Sequence, residues 1–254
     1  MKKSKKPEFD VQEKDKYFWA EMENLIAHRG YTLNEIMEHF PSYMMRRFLG
    51  RFISHYELFK KVIDLPGCIV ELGVFRGRSF FTWSHFLETF CPSDRRRMVY
   101  GFDHFQGLKD FTSKDGEFDA VNDKVEGGWK ATLHEIEKLI ELHTLDSMLP
   151  GVPRCKIISG DIRETLPKFL SETSGLRISL LHFDIDLYEP TLFSLEKLYP
   201  LVLTGGVICF DEYGVVPWEG ETNAADEFFS KLPKKPVLKK FPFTGFPSGY
   251  FIKE

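Results

Sequence analysis

Apolar and polar positions follow two periodicities along most of this chain. Five short apolar runs of strand length end near Leu72, Phe102, Ser159, Phe183 and Phe210. Most of them are followed by a stretch in which apolar residues recur every three or four positions, as they do in a helix. Strands that alternate with helices are typical of a parallel sheet with helices on both faces. The pattern therefore predicts an α/β fold with a doubly wound, mostly parallel sheet.

Three regions depart from this alternation. Residues 11–59 have helical spacing throughout, so we expect residues 1–60 to form a helical cap and residues 61–254 to form the sheet domain. The C-terminal runs 237–241 and 248–252 indicate an antiparallel hairpin, which would complete a seven-stranded sheet. The segment 104–154 is too long for a simple crossover, and we interpret it as a lid over the edge of the sheet.

The fourth and fifth predicted strands both end on carboxylates. Asp184 and Asp186 follow the fourth strand, Asp211 and Glu212 follow the fifth, and a helix-like stretch separates the two. Because parallel strands joined by a helix point the same way, these acids should meet at one edge, where open α/β sheets bind ligands. Mg²⁺ and Ca²⁺ prefer such oxygen ligands. The alternative is that the acids cap the N-termini of the following helices.

A glycine-containing turn follows the first strand. It places Glu71, Gly73 and Gly77 at the start of a helix, without the G-x-G-x-x-G of a dinucleotide site or the GKS of a phosphate loop. Together with Asp103 at the end of the second strand, it suits a cationic cofactor that carries a ribose. Glu71 would face a positive amino group and Asp103 would accept the ribose hydroxyls, demands that S-adenosylmethionine meets. A tight structural turn with a capping acid is the alternative.

Five motifs lie at the ends of the five predicted strands, in chain order: Glu71–Gly77, Gly101–Leu108, Gly160–Pro167, Asp184–Thr191 and Asp211–Gly214. In this order they resemble the macrocin O-methyltransferase family, which methylates sugar hydroxyls of macrolides, aminocoumarins and nucleotide-linked deoxysugars. The resemblance covers residues 67–229. It implies a class I methyltransferase fold, S-adenosylmethionine as cofactor, and usually Mg²⁺.

Carried over by motif, the resemblance implies two sets of site residues. The expected metal ligands are Asp184, Asp211 and Glu212. The residues expected against the cofactor are Glu71, Gly73, Arg78, Ser79, Asp103, His104, Gly107, Gly160, Asp161, Ile162 and Asp184. The family commonly has aspartate at the position of Glu212 and glycine at that of Ile185. Glutamate is longer by one methylene, so Glu212 would reach a metal differently.

Methyl transfer to a sugar hydroxyl requires a base that takes the hydroxyl proton. Asp184 is the expected base as well as a ligand. His104, which follows the ribose acid, and His143, in the lid, are the alternatives, and His182 shares the strand face of Asp184. A histidine chosen by position alone is more often structural.

Charge and cysteine pattern restrict the partners. With 34 basic and 38 acidic residues, the chain is too balanced for a nucleic-acid binder. No run approaches the roughly 20 apolar residues of a membrane span. Four widely spaced cysteines without a C-x-x-C pair indicate free thiols and a cytoplasmic protein.

We expect Arg46, Arg47 and Arg51 to lie on a solvated face of the N-terminal helices. The apolar residues of these helices could pack against a second copy of the chain.

The leading hypothesis is an O-methyltransferase that acts on a sugar hydroxyl of a nucleotide-linked deoxysugar or glycosylated metabolite, assisted by a divalent cation. One alternative is a methyltransferase of a phenol or catechol hydroxyl. Another is a nicotinamide-dependent nucleotide-sugar enzyme, which the missing G-x-G step disfavours. A third hypothesis is a non-catalytic scaffold that binds the cofactor. It does not explain why so many acids meet at one edge of the sheet.

Overall fold

The computed structural model describes residues 11–254, so residues 1–10 of the expected cap lie outside the described part. The chain divides into two compact units, one ending at Leu49 and the other comprising Gly50–Glu254. The helices predicted for the first unit are present: α1 (Val11–Arg29), α2 (Leu33–Glu38), α3 (Phe40–Tyr43) and the start of α4 (Arg46–Val62). Thr32 and Glu35 form a reciprocal capping box that begins α2.

In Gly50–Glu254, the described residues form a six-stranded sheet in the order β3-β2-β1-β4-β5-β6. The strands are β1 (Cys68–Leu72), β2 (Val99–Asp103), β3 (Cys155–Ser159), β4 (Ile178–Phe183), β5 (Val202–Phe210) and β6 (Gly249–Ile252). The first five are mutually parallel, and β6 pairs antiparallel with β5. The doubly wound sheet predicted from the sequence is confirmed.

The prediction of a seventh strand is wrong. Residues 237–241 make a single bridge, in which Lys239 and Tyr250 exchange backbone hydrogen bonds of 2.8 Å. Pro236 and Pro242 flank this bridge. Since proline has no N–H to donate to a ladder, the segment cannot extend its pairing along β6.

Helices cover both faces of the sheet. The C-terminal part of α4, α5 (Arg78–Phe90) and α6 (Leu133–Leu145) share a core with one face, which includes the fully buried Phe59, Phe80 and Trp83. The other face packs against α7 (Ile162–Glu172), α8 (Tyr188–Leu198) and α9 (Glu219–Ser230). There Phe183 and Phe210 stack with ring centroids 4.9 Å apart. Burying each such ring contributes on the order of 2–3 kcal/mol.

The strand order places a topological switch point between β1 and β4. The chain leaves β1 for β2 and β3 on one side, then returns to β4 and β5 on the other. Ligands of open α/β sheets bind beyond the carboxyl ends of the strands at such a point. Backbone hydrogen bonds continue the ladder by one residue there, from the N–H of Asp184 to Leu72 (2.8 Å) and from that of Asp211 to Phe183 (3.0 Å). The backbone positions of both acids are therefore fixed by hydrogen bonds of the sheet.

The segment 104–154, whose role as a lid stays a prediction and which is called the lid below, carries two short 3₁₀ turns, at Ser113–Asp115 and Ala120–Asn122, before α6. Its base is closed by two backbone hydrogen bonds, from Leu108 to Gly128 (2.8 Å) and from Gly127 to Leu108 (2.7 Å). The 3₁₀ turns thus lie in a closed loop that begins and ends beside the carboxyl end of β2. No helix among residues 11–254 is both long and apolar enough to span a bilayer.

Candidate active site

A buried row of ionisable groups crosses the sheet at its carboxyl edge. Glu71 on β1 and His182 on β4 are register partners, and Asp211 follows β5 on the same face. His182 Nδ1 lies 3.3 Å from Glu71 Oε2, and its Nε2 lies 3.1 Å from Asp211 Oδ1. Burial opposes a charge on His182, but its hydrogen bonds to both carboxylates outweigh that penalty and raise its pKa well above the usual value. His182 therefore links Glu71 and Asp211 through its two ring nitrogens.

Arg51 of α4 extends this row to Asp184. Its Nη2 donates to Asp184 Oδ2 at 3.0 Å and to Asp211 Oδ2. Burial opposes the charges, but the ion pair raises the pKa of Arg51, and Arg51 with His182 lowers the pKa of Asp211. Acidic and basic groups alternate along Glu71, His182, Asp211, Arg51 and Asp184, and burial raises the pKa of the two outer acids, Glu71 and Asp184. The expectation that Arg51 lies on a solvated face is wrong, since only 16% of its side chain is exposed.

A second acidic group lies beside this row. Ligand oxygens of Asp184, Asp186 and Glu212 all fall within 4.8 Å of one another. Glu221 is buried below them and accepts the N–H of Glu212 at 3.0 Å. Burial, followed by mutual repulsion of the carboxylates, raises the pKa of Glu212 and Glu221 well above normal, and burial raises that of Asp186 to about 7. Of the three converging acids, Asp184 is the one that pairs directly with Arg51.

The donor set fits a hard divalent cation. It consists of carboxylate oxygens, the ligands that Mg²⁺ and Ca²⁺ prefer. Glu212 Oε2 and Glu221 Oε1 are buried and have no hydrogen-bond partner among the described residues. Buried unpaired oxygens of this kind are costly unless a cation or proton satisfies them. Asp184 belongs to both groups of converging ligand atoms, whereas Asp211 groups with His182 and Glu212 with Asp186.

The end of β2 and the glycine turn after β1 are joined by Asp103. Its Oδ2 accepts the N–H groups of Val74 (2.9 Å) and Phe75 (2.8 Å), and its Oδ1 accepts that of Phe105 (2.6 Å). The carboxylate thereby ties the glycine turn to the end of β2 and remains half-buried. A half-buried carboxylate at this edge, with further acids along it, fits a cationic nucleoside. Glu71, in contrast, is 1% exposed and directed at His182.

The other expected cofactor residues frame the same edge. Gly160 donates its N–H to the backbone of Asp103 at 3.1 Å. Asp161 caps α7, and its side chain also pairs with Arg163, which is the first cause that lowers the pKa of Asp161 to about 2. Buried Ile162 begins α7. The remaining three lie at neighbouring turns: Arg78 begins α5, Ser79 is buried behind it, and Gly107 meets the lid base at Gly127 and Gly128.

The two alternative bases lie in different surroundings. His104 is half-buried at the edge, where its Nδ1 accepts the N–H of Gln106 at 3.1 Å. His143 packs against Phe81 and His85, with ring centroids 4.6 Å from each. It shares a small cavity with Cys155, the first residue of β3, which belongs to the opposite edge of the sheet. The structure thus brings His104, and not His143, to the carboxyl ends of the strands.

Several site residues have no clear sequence signal. Phe75, Phe105 and Trp129 adopt positive φ angles (49°, 59° and 52°), a strained conformation that concentrates at functional sites. The ring of Trp129 packs edge-on against Phe75 at 5.5 Å. Asp186 also has a positive φ and does not cap α8, because Asp115 of the lid accepts the first N–H, that of Tyr188, at 2.6 Å. Trp218 and Glu219 are engaged in packing the lid.

Two relatives of this chain are O-methyltransferases by name. The demethyldecarbamoylnovobiocin O-methyltransferase of Streptomyces niveus is 29% identical over 181 residues, which cover 66% of this chain and 60% of the relative. The mycinamicin III 3''-O-methyltransferase of Micromonospora griseorubida is 27% identical over 154 residues, which cover 59% and 56%. The chain therefore matches less than two thirds of the length of these relatives.

Solved structures extend the similarity to the whole fold. The calicheamicin methyltransferase CalS11 superimposes with a TM-score of 0.84 at 25% identity, covering 98% of this chain and 99% of that one. An apo structure of CalS11, described as a TDP-rhamnose 3'-O-methyltransferase, gives 0.77 at 27% identity and covers 96% of both. The class I methyltransferase fold expected from the sequence is thus confirmed, with six strands. Because residues 53–234 match its family model, the chain belongs to the macrocin-O-methyltransferase (TylF) family.

Proposed function

We propose that this protein is an S-adenosylmethionine-dependent O-methyltransferase that acts on a sugar hydroxyl of a nucleotide-linked deoxysugar or a glycosylated metabolite. The observation that carries the proposal is the position of Asp103, Asp184 and Asp211 at the carboxyl ends of β2, β4 and β5, on the two sides of the switch point. Family membership and the names of the relatives support the reaction type and the sugar acceptor. The free cysteines agree with a cytoplasmic location.

The cofactor would lie along the turn after β1. Asp103 would accept the ribose hydroxyls, while Gly73, Arg78 and Ser79 would border the methionine part. Gly160, Asp161 and Ile162 would border the adenine, with His104 and Gly107 beside the ribose. When bound, S-adenosylmethionine supplies an electrophilic methyl group. The contribution of the protein is orientation, because in-line displacement depends on the alignment of acceptor, methyl carbon and leaving sulfur.

Asp184, Asp211 and Glu212 would hold a divalent cation, which when bound lowers the pKa of an acceptor hydroxyl. Asp184 is the proposed base for the hydroxyl proton, since 27% of its side chain is exposed at the switch point whereas that of Asp211 is 1% exposed. Glu71 is now better explained as a positioning residue, because it binds His182, which in turn binds Asp211. His104 remains the alternative base, whereas His143 lies by the cavity at the start of β3, away from these acids.

Titration calorimetry with S-adenosylmethionine tests the cofactor assignment. We expect binding by the unchanged protein, and at least tenfold weaker binding by Asp103→Asn, since the amide is a poorer acceptor for the ribose and for the turn. Asp64→Asn, an exposed substitution next to α4, is the matched control and should bind like the unchanged protein. Absence of binding by the unchanged protein at millimolar cofactor would refute the proposal.

Acceptor and cation are tested in a methyl-transfer assay. TDP-rhamnose, the sugar named for CalS11, is the first acceptor, and a catechol is the comparison. We expect turnover with the sugar, a loss of at least tenfold on treatment with EDTA, and recovery with Mg²⁺. Turnover of the catechol alone would contradict the sugar assignment. Unchanged turnover in EDTA, with Asp184→Ala still active, would remove the cation from the proposal.

A further inference from the structure

The contact between Arg51 and the carboxylate pair joins distant parts of the chain. Arg51 lies on α4, before the first strand, whereas Asp184 and Asp211 follow β4 and β5. One nitrogen, Nη2, approaches Oδ2 of both acids. These two acids are also proposed ligands of the divalent cation. A positive charge of the protein therefore already occupies the space between two of the three ligands.

The geometry of this contact is not that of an ordinary arginine–carboxylate pair. Such pairs usually form a fork in which two N–H groups bind one carboxylate. Here a single nitrogen serves two carboxylates, while Arg51 Nε is buried without a hydrogen-bond partner among the described residues. The guanidinium also faces the ring of Phe246 at 5.6 Å. Arg51 thus acts on the pair as a compact point charge, with part of its hydrogen-bonding capacity unused.

The two carboxylates need a counter-charge or a proton in any state of the protein. Without Arg51, two carboxyl groups would converge at the switch point, one of them with a side chain only 1% exposed. Removing one partner from a buried ion pair is strongly destabilising because the other charge is left uncompensated. His182 compensates Asp211 on its Oδ1 side only. On the Oδ2 side the compensating group is Arg51, and an external cation or a proton could replace it.

We propose that Arg51 is a resident counter-cation that competes with a divalent cation for Asp184 and Asp211, so that cation binding requires its side chain to leave the pair. The proposal rests on the cation part of the proposed function. It explains how the pair is stabilised when no metal is bound. It also means that the affinity for metal depends on how much more strongly the two carboxylates bind the divalent cation than they bind Arg51. Removal of Arg51 therefore strengthens metal binding.

Manganese binding and thermal stability test this competition. Arg51→Met keeps the length and apolar stem of the side chain and removes its charge. In an electron paramagnetic resonance titration of free Mn²⁺, we expect Arg51→Met to bind Mn²⁺ at least tenfold more tightly than the unchanged protein. Its Tm should be lower without metal and should rise more steeply on addition of Mn²⁺. Lys60→Met removes a charge from the exposed side of the same helix and should match the unchanged protein in both measurements.

The outcomes separate this inference from the proposed function. Equal or weaker Mn²⁺ binding by Arg51→Met overturns the competition, while binding by the unchanged protein leaves the cation assignment intact. If neither protein binds Mn²⁺, both the competition and the cation assignment fall, and calorimetry with S-adenosylmethionine still decides the cofactor assignment. Should Arg51→Met not fold even with Mn²⁺, Arg51→Gln provides the test. Glutamine removes the charge and keeps a polar head group that can donate to one carboxylate, and Mn²⁺ binding equal to or weaker than that of the unchanged protein overturns the inference.

Discussion

At the scale of single residues, Gly73 shows how tightly the turn is fitted to the switch point. Its φ is +84°, and a Cβ atom there would lie 1.8 Å from the carbonyl oxygen of Asp184. Two backbones meet at this point, so no side chain can move aside to make room. Gly73 therefore allows the end of β4 to approach the turn that borders the proposed cofactor site.

We expect Gly73→Ala to lower the free energy of unfolding by roughly 3 kcal/mol or more, because the left-handed conformation and the backbone clash add. Gly151→Ala is the matched control, since Gly151 has the same φ of +84° and no atom within 4 Å of the added Cβ. It should cost about 1–2 kcal/mol. Urea unfolding of both variants measures the difference. Equal losses would show that strain in φ, and not the close approach to Asp184, governs this position.

Asp161 gives a pH-dependent contribution. The hydrogen bond with Arg163 is the main cause that lowers its folded-state pKa to about 2, below the usual 3.8. A lowered carboxylate pKa stabilises the fold above the unfolded-state pKa, and this stability is lost as the pH falls through the folded-state value. Asp161→Asn keeps a capping oxygen but removes the charge. Because Arg163 is largely exposed, we expect a loss of less than about 1 kcal/mol at pH 7.

Urea unfolding at a series of pH values measures this contribution. The difference between the unchanged protein and Asp161→Asn should shrink as the pH falls from about 4 toward about 2. A difference that is the same at pH 7 and pH 3 would contradict the assignment to the charge of Asp161.

The carboxylates of the site were predictable from sequence, and their cationic partner was not. Asp184 and Asp211 each follow an apolar run directly, so the rule that parallel strands end together places them at one edge. Arg51 lies 133 residues before Asp184, in a helix whose own spacing indicates only which residues share a face. Nothing local distinguishes it from Arg47, which is 48% exposed and pairs with Asp15 at 2.6 Å. A contact set by tertiary packing alone leaves no mark in the local pattern.

At the scale of secondary-structure elements, the lid is attached to the helices beyond β4 and β5. The ammonium of Lys124 is buried and contacts the backbone carbonyls of Asp115 and Pro217 as well as Glu219 Oε2 at 3.1 Å. Asp115 in turn accepts the N–H of Tyr188 at the start of α8. One lysine therefore connects the 3₁₀ turns of the lid to the start of α9, and its neighbour Asp115 connects them to α8.

We expect Lys124→Met to loosen this attachment, because the three oxygens that Lys124 contacts lose a shared donor. Hydrogen–deuterium exchange of residues 109–126 should increase at least tenfold, while S-adenosylmethionine binding changes less than threefold. Lys130→Met, an exposed lysine of the same segment, should leave exchange unchanged. Protection of 109–126 that is the same in Lys124→Met and in the unchanged protein would contradict the role of this contact.

The bounds of individual elements depend partly on contacts that the local pattern does not contain. Helix α8 begins at Tyr188, and the carboxylate that accepts its first N–H comes from Asp115, a residue 73 positions earlier. The run 237–241 has the composition of a strand, but its flanking prolines limit it to one bridge.

At the scale of the whole molecule, the N-terminal unit has large apolar side chains with an unusually high exposed fraction. Leu33 is 74% exposed and Met37 is 56% exposed, and they lie one turn apart on α2. Exposed apolar groups of this kind often mark association surfaces. We expect the protein to self-associate through this unit. Light scattering after size-exclusion chromatography should show an oligomer that the double variant Leu33→Asp, Met37→Asp converts to monomer.

The control for self-association is Val237→Asp, which alters an equally exposed residue of the other unit. It should leave the oligomer intact. A monomeric unchanged protein, or dissociation caused equally by Val237→Asp, would contradict an interface on the N-terminal helices.

The closed base of the lid, where Leu108 pairs with Gly127 and Gly128, has an evolutionary consequence. The entropy of closing a loop grows only slowly with its length, so residues can be inserted into or deleted from 109–126 at little thermodynamic expense. Both ends remain anchored a few residues from Asp103, whatever the loop between them contains. The length and composition of this loop can therefore change without altering the positions of Asp103 and of the turn that borders the proposed cofactor site.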